Sequence, residues 1–158
     1  MHEQELIEEI DGEIENLRRL KDEMSSFIAD IVEEPTSKEI RVFSSILHDF
    51  YSGIEKVFEK IALFLDGDLP KGETWHIDLL RQMSKSSHNR PAVISESLFE
   101  RLKEYLRFRH LLRHIYGFKI KWESVKPLAL SMSSVLDEFE DNLNGFMEFL
   151  RSRRENDS

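Results

Sequence analysis

The chain contains no cysteine, which excludes disulfides, thiolate metal ligands and a cysteine nucleophile and removes any argument for an oxidising compartment. It also lacks a run of about 18 apolar residues, the length a membrane-spanning helix requires. Met1 to Ile10 is acidic where a signal peptide would be basic and then apolar. These absences lead to the expectation of a cytoplasmic protein that does not enter a membrane. Strand-period alternation of useful length, internal repeats and low-complexity tracts are absent too. With 158 residues, 40% of them hydrophobic, the chain is long enough for one sizeable core, and residues 1–158 are expected to form a single domain.

Positive charge is scarce overall. The formal net charge of -9 argues at first against nucleic acid, because phosphate binding requires Lys and Arg to displace condensed counterions. The deficit is uneven, however. Arg101 to Lys121 holds seven Lys or Arg (Arg101, Lys103, Arg107, Arg109, Arg113, Lys119, Lys121) against Glu104 alone, a formal +6, which leaves -15 on the rest of the chain. Such asymmetry fits a local basic face that meets a polyanion while an acidic body limits nonspecific binding. A solvated helix face is the alternative account of the same charges.

What is present is helical periodicity. Ile7, Ile10, Ile14, Leu17, Met24, Ile28 and Ile31 follow three-and-four spacing broken only by Lys21, so Glu3 to Glu33 reads as one helix, ended by Pro35. Thr36 and Glu39 form a capping-box pattern ahead of an unbroken seam: Ile40, Phe43, Leu47, Phe50, Ile54, Val57, Ile61 and Phe64. Ile46, Tyr51, Phe58 and Leu65 widen that seam, as expected of a helix buried centrally or shared with a second subunit. Asp66 to Glu73 reads as a loop, after which Thr74 can cap a short helix through Trp75, Leu79, Leu80 and Met83. Ser84 to Pro91 reads as an exposed loop in which His88, Asn89 and Arg90 either touch RNA phosphate or form a solvated turn. Ser95 or Ser97 can start the next helix, and Ser97 with Glu100 has the capping-box spacing. That helix carries Leu98, Leu102, Tyr105 and Leu112 and is expected to stop near Gly117. A last helix runs from about Glu123 to Leu150, with Pro127 tolerable near its start, and Arg151 to Ser158 reads as a frayed tail. The expected fold is therefore all-α, an antiparallel bundle of four long helices plus a short one.

One position violates the pattern. The stripe Leu98, Leu102, Tyr105, Leu112 calls for an apolar residue at 109, and the chain supplies Arg109. A guanidinium on a core-facing stripe must find a carboxylate or a phosphate, since leaving it desolvated and unpaired costs several kcal/mol. His110, Arg113, His114 and Tyr116 crowd the same helix end. Histidine can take a proton from a ribose 2'-hydroxyl and later return one to a leaving oxygen, and Arg matches phosphate oxygens in a bidentate fork. With the 2'-hydroxyl as internal nucleophile, the substrate is RNA, no metal or other cofactor is required, and a 2',3'-cyclic phosphate and a 5'-hydroxyl are the products.

Arg109-His110-Leu111-Leu112-Arg113-His114-Ile115-Tyr116 resembles the signature of the HEPN superfamily, an Arg followed after four to six residues by a His, with a polar residue directly after the Arg. More narrowly, Arg, four residues, His, one residue, Tyr resembles the HepT ribonuclease toxins, encoded beside a minimal nucleotidyltransferase antitoxin. Trp75 to Leu80 and Arg90-Pro91 also resemble stretches of HepT-like subfamilies. The resemblance implies a HEPN-like helical fold, a homodimer with the site across its interface, and a metal-independent endoribonuclease activity. It implies that Arg109 holds the scissile phosphate, that His114 is the catalytic acid or base, and that His110 fills the polar place. Arg107, Arg113 and Lys119 would support RNA binding. Tyr116 matches the tyrosine that the antitoxin modifies with AMP, adding bulk and negative charge where phosphate must enter. Helices one and two look longer than a minimal HepT needs.

Blander readings stand beside these. His110 and His114 at i and i+4 could hold a metal, although two ligands rarely suffice. Trp75 and His76 at a helix start are expected to be a packed aromatic and a surface histidine and not a ligand pair. The alternative function is a noncatalytic helical dimer that binds RNA, nucleotide or a nucleotidyltransferase partner through the same face.

Overall fold

The computed structural model describes residues 2–156. Five α-helices pack together: α1 Glu3–Asp30, α2 Ser37–Ile61, α3 Trp75–Met83, α4 Glu96–His114 and α5 Trp122–Asn156. Among the described residues there is no strand, only an isolated bridge between Ser87 and Arg90, and the fold is the expected all-α bundle. Among the described residues no helix is long and apolar enough to cross a membrane.

The widened seam explains the position of α2. It packs against α1, α3, α4 and α5, so apolar residues on several of its sides find partners within one chain. Phe58 meets Phe139 of α5 edge-on at 5.8 Å, Phe50 meets Tyr105 of α4 at 5.4 Å, and Phe43 lies 4.9 Å from Trp122. Burying each such side chain stabilises the fold by about 2–3 kcal/mol. The capping box forms as expected: Thr36 Oγ1 accepts from the Glu39 amide at 3.2 Å, and the Glu39 carboxylate accepts from the Thr36 amide at 2.9 Å. After Ile61 the chain widens into a π-helical turn over Ala62–Asp66, closed by Gly67 in the left-handed region at φ +83.

Several boundaries differ from the sequence expectation. Helix α1 ends at Asp30, not Glu33, because Val32 and Glu33 are exposed and have no surface to pack on. Thr74 precedes α3, but its hydroxyl donates to Asp78 Oδ2 at 2.8 Å and does not cap the backbone. Ser95, not Ser97, caps α4, accepting from the Leu98 amide at 3.1 Å, and the Ser97–Glu100 box does not form. Helix α4 stops at His114, before Gly117, which has no left-handed φ and opens a short 3₁₀ turn to Lys119. Gly117 is instead a close approach: a Cβ there would lie 2.7 Å from the Arg41 guanidinium carbon. Helix α5 runs on to Asn156, past the Leu150 expected as its end, and Arg153 Nε donates to Glu3 Oε1 at 3.1 Å, tying its last turns to the start of α1. The rest of the expected tail, residues 157–158, lies outside the described residues.

Candidate active site on helices α2, α3 and α4

Helix α4 is held at one end by Ser95, whose amide donates to Asn142 Oδ1 at 2.7 Å, and in its middle by Tyr105, whose hydroxyl donates to the Leu128 carbonyl at 2.8 Å. Burial raises the Tyr105 phenol to about 12, outweighing the Ser131 hydrogen bond and Arg101 that act to lower it. This anchoring fixes the rotation of α4. Arg109 is thereby turned inward and is only 3% exposed.

Its partner is Glu55 of α2, itself 6% exposed. Arg109 Nη2 donates to Glu55 Oε2 at 3.1 Å and Oε1 at 3.2 Å, and Nη1 donates to Ser52 Oγ at 3.2 Å. The Arg109 guanidinium carbon also lies 4.9 Å from the centroid of the Tyr51 ring. Tyr51 is buried, its hydroxyl has no hydrogen-bond partner, and its pKa is pushed well up, first by burial and then by Glu55. Glu59, one turn further along α2, is also shifted upward, by burial and then by the neighbouring Glu55 charge.

A third group completes the cluster. His76, on the first turn of α3, has Nδ1 at 2.9 and 3.0 Å from the two Glu55 oxygens and 2.9 Å from Arg109 Nη2. Its ring lies tilted against that of Trp75, with the centroids 3.7 Å apart. The surface histidine expected at this position is thus a half-buried member of an ionic cluster. Glu55, Ser52, Tyr51 and His76 were not singled out as site residues in the sequence, yet Glu55 carried a signal. It interrupts the apolar row Tyr51, Phe58, Leu65 on α2 just as Arg109 interrupts the row on α4.

Beside this cluster a groove of about 450 Å³ runs between α3 and α4. Arg109 and His76 reach it from the inside, and Arg81, Lys103, Arg107, His110 and Arg113 line it with Glu73 as the sole carboxylate. Leu106 and Ile77 supply apolar wall. The basic stretch as a whole does not form one face. Arg101 pairs with Glu138 of α5 at 3.1 Å, Lys103 with Glu100 at 3.0 Å, and Arg107 with Glu104 at 2.9 Å. Arg113 has no carboxylate within 4 Å among the described residues. Arg109 and His114 are five residues apart and therefore point about 140° apart around α4. His114 is exposed and does not line the groove, but its ring lies 4.3 Å from that of His110, which does. Among the described residues no group of three or more His, Asp or Glu could hold a metal ion.

Beyond α4, Tyr116 is 70% exposed and stacks face to face on Phe118 at 5.5 Å, with Lys119 Nζ 5.9 Å from its ring. In the Ser84 to Pro91 loop, Arg90 is buried and so is neither a solvated turn residue nor open to phosphate. Its Nε and Nη2 donate to the two Asp66 oxygens, each at 2.8 Å, and its Nη1 donates to the Lys85 and Pro91 carbonyls at 2.9 and 3.1 Å. Burial acts to raise the Asp66 carboxyl, but hydrogen bonds from Arg90 and then Gln82 outweigh it and hold the group below the ordinary carboxylate range. His88 and Asn89 remain exposed.

The all-α bundle of five packed helices is consistent with a HEPN-like fold. The model of one family, described as HepT-like protein, matches residues 42–150, and the chain belongs to that HepT-like family of the HEPN superfamily. Helix α1 lies outside the matched residues. No curated protein and no solved structure matches the chain.

Proposed function

We propose that the chain is a metal-independent endoribonuclease toxin controlled by a minimal nucleotidyltransferase antitoxin. The observation that carries this reading is the buried guanidinium of Arg109 at the base of a basic groove lined by His110 and Arg113, with the His114 ring outside the groove but 4.3 Å from that of His110. A phosphodiester entering the groove meets a fork whose orientation is already set by Glu55 and Ser52, so little ordering is required when phosphate arrives. His114 is the acid or base, and His110, Arg107, Arg113 and Lys119 attract and position RNA. The exposed apolar residues Leu111, Tyr116 and Phe118 near the end of α4 fit a homodimer that brings two copies of Arg109 and His114 to one cleft. Exposure of Tyr116 fits its modification by AMP, which would add charge repelling RNA phosphate.

The test is cleavage of a defined RNA in EDTA by the wild type and by Arg109→Ala and His114→Ala. Cutting by wild type that leaves 2',3'-cyclic ends, with both variants inactive, supports the proposal; equal activity in all three rejects the site. A second reading, a noncatalytic RNA- or partner-binding dimer, is favoured by two features: Glu55 already occupies Arg109, and His114 stands outside the groove of its own protomer. RNA binding by wild type without cleavage would select it.

A further inference from the structure

Cleavage of RNA through its 2'-hydroxyl needs two proton transfers, one from the nucleophile and one to the leaving 5'-oxygen. The Arg-x4-His signature names His114 as acid or base without saying which of the two transfers it performs. The cluster beneath the groove holds a second imidazole with the features of a general base, and nothing in the Arg-x4-His signature assigns it.

The tautomer of His76 follows from its contacts. A proton on Nδ1 points at two carboxylate oxygens at 2.9 and 3.0 Å and makes a charge-assisted hydrogen bond. The other tautomer would set the Nδ1 lone pair against those oxygens at the same distances, a repulsion that one bond from Arg109 Nη2 does not offset. Nδ1–H donating to Glu55 therefore leaves the Nε2 lone pair unused by the cluster. The ring is 25% exposed, lines the groove and is steadied by the Trp75 ring. Carboxylate, imidazole and guanidinium thus stand together at the wall of a basic groove, with the carboxylate orienting the imidazole as a carboxylate does in other histidine bases.

We propose that His76, oriented by Glu55, is the general base of the RNA-cleaving site; this rests on the ribonuclease reading above. His76 Nε2 takes the proton of the ribose 2'-hydroxyl as the 2'-oxygen bonds to phosphorus. The bond from phosphorus to the 5'-oxygen breaks, and that oxygen takes a proton from the imidazolium of His114 of the partner subunit in the proposed homodimer, since each chain's own His114 stands outside its groove. The products are a 2',3'-cyclic phosphate and a 5'-hydroxyl, and the two histidines return to their starting states by exchange with water. Glu55 acts through His76 and Arg109 and is a positioning residue. The imidazole touches Glu55 of α2 and Arg109 of α4, acts electrostatically on Glu59 of α2, and shares its groove with Glu73 ahead of α3, Arg81 of α3, and Lys103, Arg107, His110 and Arg113 of α4.

The experiment is the pH dependence of RNA cleavage in EDTA by wild type, His76→Asn, His76→Gln, Glu55→Gln and His114→Ala, each checked for folding by circular dichroism. His76→Asn and His76→Gln are expected to lower kcat by about 100-fold or more with KM little changed, and to lose the acidic limb of the profile, which reports a base that must be unprotonated. Glu55→Gln is expected to retain part of the activity, because the amide oxygen can still accept from His76 Nδ1–H while the charge that strengthens that bond is lost. Wild-type kcat and both limbs in the two His76 variants, with His114→Ala inactive, would overturn the role of His76 and leave the ribonuclease reading standing. No cleavage by wild type would overturn both. If both His76 substitutions unfold the chain, diethyl pyrocarbonate labelling of wild type decides: 2'-O-methyl RNA is expected to protect His76, and unchanged labelling would overturn the proposal.

Discussion

Removing the Glu55 carboxylate is a sharp perturbation, because it leaves Arg109 charged in a site that is 3% exposed. At 3.1 Å the charges attract by about 5 kcal/mol in an effective dielectric of about 20, and most of that attraction is offset by the cost of taking both ions out of water. The pair as a whole therefore contributes little net stability, whereas one partner left alone costs about 3–5 kcal/mol. Ser52 remains as an acceptor for Arg109, and His76 Nδ1 can become one by moving its proton to Nε2 once the carboxylate is gone, so Glu55→Ala is expected at the lower end, about 3 kcal/mol. For a chain of this size that corresponds to a Tm lower by about 6–12 °C. Arg109→Ala is expected to cost a similar amount, and the Glu55→Ala, Arg109→Ala double variant markedly less than the sum, with a coupling of about 2 kcal/mol. Urea denaturation at several protein concentrations measures all three, with an unchanged m-value and the contribution of any dimer separated by its concentration dependence. A Glu55→Ala cost below about 1 kcal/mol, together with additive single and double variants, would refute the buried ion pair.

Other perturbations probe the frame around the site. Asp66→Asn is expected to destabilise the chain at neutral pH, since it unpairs buried Arg90, and to lose that disadvantage in acid. The folded Asp66 carboxyl lies below its unfolded value, so its contribution is present above about pH 4 and disappears as pH falls through the folded value; parallel melts of wild type and variant at several pH values check the convergence. Tyr51→Phe is expected to stabilise the chain by about 1 kcal/mol in urea titration, because it removes a buried hydroxyl with no partner. Gly53→Ala improves helix propensity but sets a Cβ 2.8 Å from Leu17 Cδ2 of α1. A net loss of about 1 kcal/mol is expected, relieved in part in a Leu17→Ala background, where additivity would show the contact to be soft.

Much of the fold was legible because helix periodicity is a local property. The unbroken seam of α2, the capping box at Thr36 and the width of the α2 apolar surface announced a central helix, and α2 does contact every other helix. Boundaries failed where they depended on what lay opposite. Gly117 offered a helix stop by its type, but α4 ended earlier and the glycine served the approach of Arg41. Ser95 and Ser97 were equivalent as caps in one dimension; the bond of the Ser95 amide to Asn142 on α5 is one that only the folded chain can make.

The candidate site divides along the same line. That Arg109 faces inward and must be paired follows from the sequence alone, since an ion on an apolar stripe cannot remain desolvated without a partner. Which acid pairs with it does not follow, for Glu55 is 54 residues away among many carboxylates, and only the packing of α4 on α2 selects it. The local +6 charge was likewise visible, but the tertiary structure divided it among a bond to α5, two pairs within α4, a buried cluster and an open groove. In the sequence His76 lay in the Trp75 to Leu80 stretch that resembles HepT-like subfamilies, but it read as a surface histidine. Its role arises from the docking of α3 beside α2 and α4, which brings an imidazole, a carboxylate and a guanidinium from three helices within about 3 Å of one another, a distance at which charge and hydrogen bonding act together.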